Sequence, residues 1–208
     1  MVKTKIAVFI SGGGTNLQAL IDAQRDGILR SGRIVLVISS NSIAYGLKRA
    51  GEAGIDAVAI TRKECGSQEA FEARIIQKLE EYGIELIVLA GFLNILSEDF
   101  VGRYENRIIN IHPSLIPAFC GKGFYGIKVH EAALDYGVKV TGATVHFVNE
   151  IPDGGRIIRQ KAVSIKKDDT PKALQKRVMT QAECVILPQA AEDVSKAIAE
   201  RKKSDGYI

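Results

Sequence analysis

Short runs of β-branched and aliphatic residues alternate along this chain with longer stretches in which apolar positions recur every three or four residues. The runs "KIAVFIS", "RIVLVIS", "DAVAI", "ELIVLAGF" and "NRIINIH" are separated in turn by "NLQALIDAQRDG", "AYGLKRAGEAG", "QEAFEARIIQKLEEYG" and "SEDFVGRY". Apolar strands joined by amphipathic crossovers predict an α/β fold: a Rossmann-like, mostly parallel sheet with helices on both faces. Gly27, Gly54 and Gly83 each follow a helical stretch and read as stop signals. After Pro113 the pattern changes. A Gly-rich loop, "PAFCGKGFYGIK", precedes a short helix near His130–Tyr136. Two strand-like runs, "KVTGATVHFVN" and "GRIIRQKAVSI", then flank the turn "EIPDGG" and predict a C-terminal hairpin that ends the sheet. Thr170 as N-cap and Pro171 at the first helical position open a long final helix, which Pro188 should kink or split. With no repeat, low-complexity segment or linker, residues 1–208 read as one domain.

Composition narrows the class. Of the 208 residues, 46% are hydrophobic and 25% charged, as in a globular protein with a sizeable core. The longest apolar runs fall short of the ~20 residues a membrane span needs, and Lys3 and Lys5 lead into a strand rather than a signal peptide, so a cytoplasmic protein is expected. Cys65, Cys120 and Cys184, odd in number and widely scattered, show no disulfide or metal-ligand spacing, and no metal is expected. The net charge of +4 is mild and, apart from the tail "RKKSDGYI", is not gathered into a basic stripe. Nucleic acid is therefore not an expected partner, whereas a small anionic substrate fits.

Two segments carry candidate chemistry. Ser11-Gly12-Gly13-Gly14-Thr15-Asn16 lies between a strand and a helix, where unpaired N–H groups and the helix dipole favour phosphate. No Gly-Lys-Ser/Thr follows, so this is not a P-loop. A dinucleotide fingerprint would need glycine in place of Leu17 and an acidic residue where the second strand ends in Ser39-Ser40-Asn41. A phosphomonoester is left as the ligand class, beside the plainer reading of a tight turn. The second segment is "RIINIHPSLIPAF". Asn110 and His112, two apart, leave one face of a strand at its carboxyl end, where open α/β sheets bind ligands. An amide donor and a histidine, with Asp153 of the "IPDGG" turn as candidate carboxylate, suit transfer of a carbonyl group onto an amine. The carboxylate is expected to raise the histidine's pKa. A capped structural histidine and an ordinary hairpin turn have the same signature. His146, inside a strand, reads as structural, and His130 as an exposed helix-start residue; Cys120 receives no role.

With "ISGGGTNLQALIDA", "VLAGFLNIL", "NIHPSLIPAF", "TGATVHFVNEIPDGG" and "QAECVILP" in this order, the chain resembles the phosphoribosylglycinamide formyltransferases, folate-dependent enzymes of de novo purine synthesis, over nearly its whole length. The resemblance implies catalytic roles for Asn110, His112 and Asp153, and phosphate binding by Gly13, Gly14, Thr15 and Asn16. It further implies a ribose contact for Glu183, and a folate pocket walled by Phe92, Leu93, Asn94, Ile95 and Leu96 with Asn149 and Glu150 before Asp153. It divides the chain into a phosphate half, residues 1–110, and a folate and catalytic half, residues 111–208. The implied substrates are glycinamide ribonucleotide and 10-formyltetrahydrofolate, handled by a monomer or homodimer. Asn94 and Arg156 depart from the family pattern, which favours Arg and Pro there. The alternatives are another formyltransferase, acting on methionyl-tRNA, and a formyltetrahydrofolate hydrolase. Both resemble this fold but carry a further domain for which 208 residues leave no room. A non-catalytic nucleotide-binding module would keep the glycine loop and need no Asn–His–Asp set.

Overall fold

The structure, a computed structural model, describes residues 3–204; Met1, Val2 and the end of the basic tail, residues 205–208, lie outside the described residues. Strand and helix alternate as β1 (Thr4–Ile10), α1 (Thr15–Arg25), β2 (Gly32–Ser39), α2 (Tyr45–Glu52), β3 (Asp56–Ala59), α3 (Arg62–Cys65), α4 (Gln68–Tyr82), β4 (Leu86–Leu89), α5 (Glu98–Arg103) and β5 (Ile108–His112). Then come α6 (Ile127–Tyr136), the hairpin strands β6 (Val140–Phe147) and β7 (Ile157–Ser164), α7 (Pro171–Val178), one π-helical turn (Met179–Glu183) and α8 (Cys184–Ser204). The strands form one sheet in the order β3-β2-β1-β4-β5-β6-β7. β1 to β5 pair in parallel, and β6 and β7 run antiparallel.

Period-two alternation builds two cores from the same strands. Ile6, Val8 and Ile10 of β1 with Leu86 and Val88 of β4 pack on one face, against Leu17, Leu20 and the C-terminal residues Ile186, Leu187 and Val194. Ala7 and Phe9 with Ile87 and Leu89 point to the other, against Phe71, Ile75 and Leu79 of α4 and Phe100 of α5. Both faces are therefore buried, which is why the strand sequences are apolar throughout. The local signals act as expected. Thr170 Oγ1 accepts the Ala173 N–H with Pro171 at the first helical position, and Gly27, Gly54 and Gly83 all take positive φ. No helix among the described residues is long and apolar enough to cross a membrane.

Two expectations change. Pro188 does not split the last helix: α8 runs through it, and the irregularity lies a turn earlier, where the Cys184 N–H reaches back to the Met179 carbonyl. The hydrogen-bond ladder is already widened there, just ahead of the donor that proline lacks. The segment between β6 and β7 is also longer than a simple turn and folds back on β6. A Cβ at Gly155 would fall inside the radius of the Phe147 carbonyl oxygen, so close packing as well as turn geometry requires glycine there.

The glycine loop after β1 is held against α2. Gly14 is left-handed, φ +70, and a Cβ on it would lie 2.7 Å from the Gly46 Cα, whereas a Cβ on Gly13 meets nothing within 4 Å. Gly14→Ala should therefore cost about 2 kcal/mol or more, from the left-handed backbone plus a backbone collision, and Gly13→Ala less than about 0.5 kcal/mol. Denaturant unfolding of both variants checks this; equal stabilities would contradict the packing.

Candidate active site

β1 and β4 are neighbours whose connections leave in opposite directions, one to β2 and one to β5, which makes the gap between them a topological switch point. A cavity of about 640 Å³ opens beyond their carboxyl ends. Its wall takes in Asn16 from the first turn of α1, Gly91–Ile95 after β4, Asn110 and His112 from β5, Gly121–Gly126, Pro152 and Asp153, and Gln175, Met179 and Glu183 from the C-terminal helices. Ser11 ties two walls together: its Oγ lies 2.6 Å from Ser40 Oγ and accepts the Leu93 N–H at 2.9 Å.

At one end of the cavity, Asn16 is buried and its Nδ2 donates to Glu183 Oε2 at 2.8 Å. The π turn places Glu183 there, in line with Met179 and Gln175 four and eight residues earlier. Burial raises the Glu183 carboxyl to about 7, against the lowering effect of the Asn16 amide. Gly13, Gly14 and Thr15 lead into this end without lining the cavity, and Gly13 and Thr15 are exposed.

At the cavity floor four side chains meet. The β5–β6 register sets Asn110 opposite His146, and Asn110 Nδ2 lies 3.1 Å from His146 Nε2. His146 Nδ1 is 2.8 Å from the Phe147 carbonyl, which can only accept, so Nδ1 carries a proton, and Nε2 faces both the Asn110 amide and Asp153. Asp153 bridges the two histidines, with Oδ2 3.4 Å from His112 Nδ1 and Oδ1 3.5 Å from His146 Nε2. His112 Nε2 reaches the Phe119 carbonyl at 2.9 Å. Asp153 has φ +57, a conformation uncommon outside glycine and asparagine, and its Oδ2 also accepts the Gly121 N–H at 2.8 Å. Its burial favours the neutral acid, but His146, the charge of His112 and the Gly121 N–H together outweigh this and hold its pKa below the usual carboxylate range. His112 goes the other way from expectation. Burial lowers its pKa, and the opposing pull of Asp153 and the Phe119 carbonyl does not make up the loss.

His130 is also corrected. α6 begins at Ile127, so His130 falls a full turn into the helix on its inner face with Val129 and Ala133. It is buried at the cavity wall, neither ring nitrogen has a hydrogen-bond partner, and burial lowers its pKa to about 4. The loop after β4 supplies Phe92, Leu93, Asn94 and Ile95 to the wall, while Leu96 packs against the core. Asn149 and Glu150 line a separate depression with Glu98 and Arg156; from their segment it is Pro152 and Asp153 that reach the cavity. Arg156 stacks over the Phe147 ring at 5.1 Å. Residue pattern alone reads His146 as structural, although the resemblance sets it near the pocket; its position opposite Asn110 follows from the hairpin register. Sequence reasoning missed Gln175 and Met179, whose i, i+4 spacing ahead of Glu183 was the available signal. Among the described residues no group of His, Cys, Asp and Glu is arranged to hold a metal ion.

Comparison with known proteins bears on the family and the fold. The family profile described as formyl transferase matches residues 4–191. The chain is 45% identical over 206 residues to the trifunctional purine biosynthetic protein adenosine-3 of Bos taurus, covering 99% of this chain and 20% of that protein. It is 40% identical over 178 residues to the chloroplastic phosphoribosylglycinamide formyltransferase of Arabidopsis thaliana, covering 85% of this chain and 61% of that one. The chain thus spans between 13% and 20% of the length of its trifunctional relatives. Among solved structures, glycinamide ribonucleotide transformylase 1 of Symbiobacterium toebii superposes with a TM-score of 0.87 at 41% identity, over 94% of this chain and 89% of that one. The phosphoribosylglycinamide formyltransferase of Brucella melitensis gives 0.85 at 39%, over 93% and 96%. The chain belongs to the formyl transferase family.

Proposed function

We propose that this chain transfers the formyl group of 10-formyltetrahydrofolate to the amine of glycinamide ribonucleotide, a step of de novo purine synthesis. The observation that carries the reading is the joined set Asn110, His146, Asp153 and His112 at the floor of the switch-point cavity. The amine attacks the formyl carbon, a C–N bond forms and the carbonyl oxygen becomes an oxyanion. The Asn110 amide and His112, in the fraction that Asp153 keeps protonated against burial, stabilise that charge. Collapse of the intermediate breaks the bond to the folate nitrogen, which gains one proton as the attacking amine loses one. Asp153, kept ionised by its surroundings, favours imidazolium at His112 and serves the transfer of that proton. The substrate's phosphate would sit on the N–H groups of the glycine loop, its ribose hydroxyls on Glu183, and the folate along Phe92–Ile95.

The test is formylation of glycinamide ribonucleotide by the purified protein, followed by mass spectrometry, in wild type and Asp153→Asn. Wild type should yield product. The variant should bind both substrates within a few-fold, while kcat falls by roughly 10²–10⁴. More than half of wild-type turnover in the variant would remove Asp153 from the reaction.

Glu183 generates a pH prediction with two opposite signs. Hydroxyl donors favour its ionised form, so KM for the ribonucleotide should fall as pH rises through about 7. Its raised pKa in the folded state means that, without ligand, its contribution to stability is full at acidic pH and is lost as pH rises through about 7. Glu183→Gln should flatten both trends relative to wild type between pH 6 and 8, at a KM raised roughly 10-fold and a kcat little changed. Wild-type slopes in the variant would contradict the assignment.

A further inference from the structure

The glycine loop does not hold its shape alone; α2 holds it from behind. The Gly46 N–H, in the first turn of α2, donates to the Gly12 carbonyl at 3.1 Å. One turn later, Arg49 Nε donates to the Gly13 carbonyl at 2.9 Å, while its Nη1 donates to Gln18 Oε1 of α1 at 3.0 Å. The guanidinium lies over the Tyr45 ring, 5.0 Å from the centroid. A trans peptide points its C=O and the following N–H in opposite directions. With both carbonyls turned toward α2, the N–H groups of Gly13 and Gly14 face away from it, as successive donors beside a left-handed residue, an arrangement that binds anions. Arg49 is the only side chain among the described residues that hydrogen-bonds the Gly13 carbonyl.

We propose that Arg49 is a positioning residue for phosphate binding: its planar fork, braced by Gln18 and Tyr45, fixes the Gly13–Gly14 peptide so that the Gly14 N–H is presented to the phosphoryl oxygens of the substrate. This rests on reading the glycine loop as the phosphate site. Arg49 does not line the cavity and does not touch the reacting atoms. Its action is through the loop, and both its charge and its geometry are available to act. The planar fork distinguishes the two, because lysine keeps the charge but cannot hold Gly13 and Gln18 in one plane over Tyr45.

Steady-state kinetics on wild type, Arg49→Lys and Arg49→Met, with inorganic phosphate as competitor and melting temperatures recorded alongside, test the proposal. Arg49→Met should raise KM for glycinamide ribonucleotide at least roughly 10-fold and the phosphate inhibition constant by a similar factor. The kcat and the KM for 10-formyltetrahydrofolate should stay within about two-fold. Arg49→Lys should lie between wild type and Arg49→Met. A wild-type KM in Arg49→Lys would show that charge alone matters and overturn the positioning role. A lowered melting temperature with both KM values unchanged would make Arg49 purely structural and overturn it as well. Competition by phosphate in wild type with an unchanged constant in Arg49→Met would remove Arg49 and leave the loop as the phosphate site. Absence of competition in wild type would overturn the loop reading and the Arg49 proposal together.

Discussion

The structure of the site depends on one half-buried negative charge. Asp153 lies between two imidazoles that are themselves almost wholly enclosed, and an ionised carboxylate can stay there only because His112, His146 and the Gly121 N–H all face it. Each of the three comes from a different part of the chain: the carboxyl end of β5, the next-to-last residue of β6 and the Gly-rich loop. The carboxylate thus fixes the relative placement of these elements at the place where the reaction is proposed to occur. Removing a partner from such a group leaves a poorly solvated charge uncompensated, which is why the loop after β6 is so tightly specified.

The reversal of strand direction at β6 makes this arrangement available. Five parallel strands bring their carboxyl ends to one rim, and the antiparallel β6 then returns from that side with His146 directly across from Asn110. The left-handed Asp153 and the close approach of Gly155 to the Phe147 carbonyl fold the following loop back over the pair. The same rim places Asn16 and Glu183 at the far end of the cavity, so the proposed phosphate and ribose contacts and the transfer chemistry share one 640 Å³ space.

Much of this was legible in the sequence, for physical reasons. Strands buried on both faces must be apolar, so β1, β2, β4 and β5 announce themselves, and polar residues interrupting such a run at its end, Asn110 and His112, have to be at the rim. Thr170 and Pro171 mark a helix start by satisfying orphan donors. What was not legible depends on register and burial. His146 looks like any strand histidine until the hairpin pairing is known. α6 begins after Gly126 with no side-chain cap, so nothing in the sequence marks its first residue, and His130 reads as a surface residue although it lies inside. The π turn has no sequence signature, and Pro188 drew attention to the wrong turn of the helix. The direction of the His112 shift was missed because a neighbouring carboxylate can be inferred from sequence, whereas the depth of burial that outweighs it cannot.

The Asp153 charge and burial act on His112 in opposition. Nitrogen-15 NMR titration of the imidazoles in wild type and Asp153→Asn measures this directly. The account predicts a wild-type His112 that titrates below an ordinary histidine, and a still lower value in Asp153→Asn, where burial acts without its counterweight. A His112 pKa that stays the same or rises when the carboxylate is removed would contradict the account.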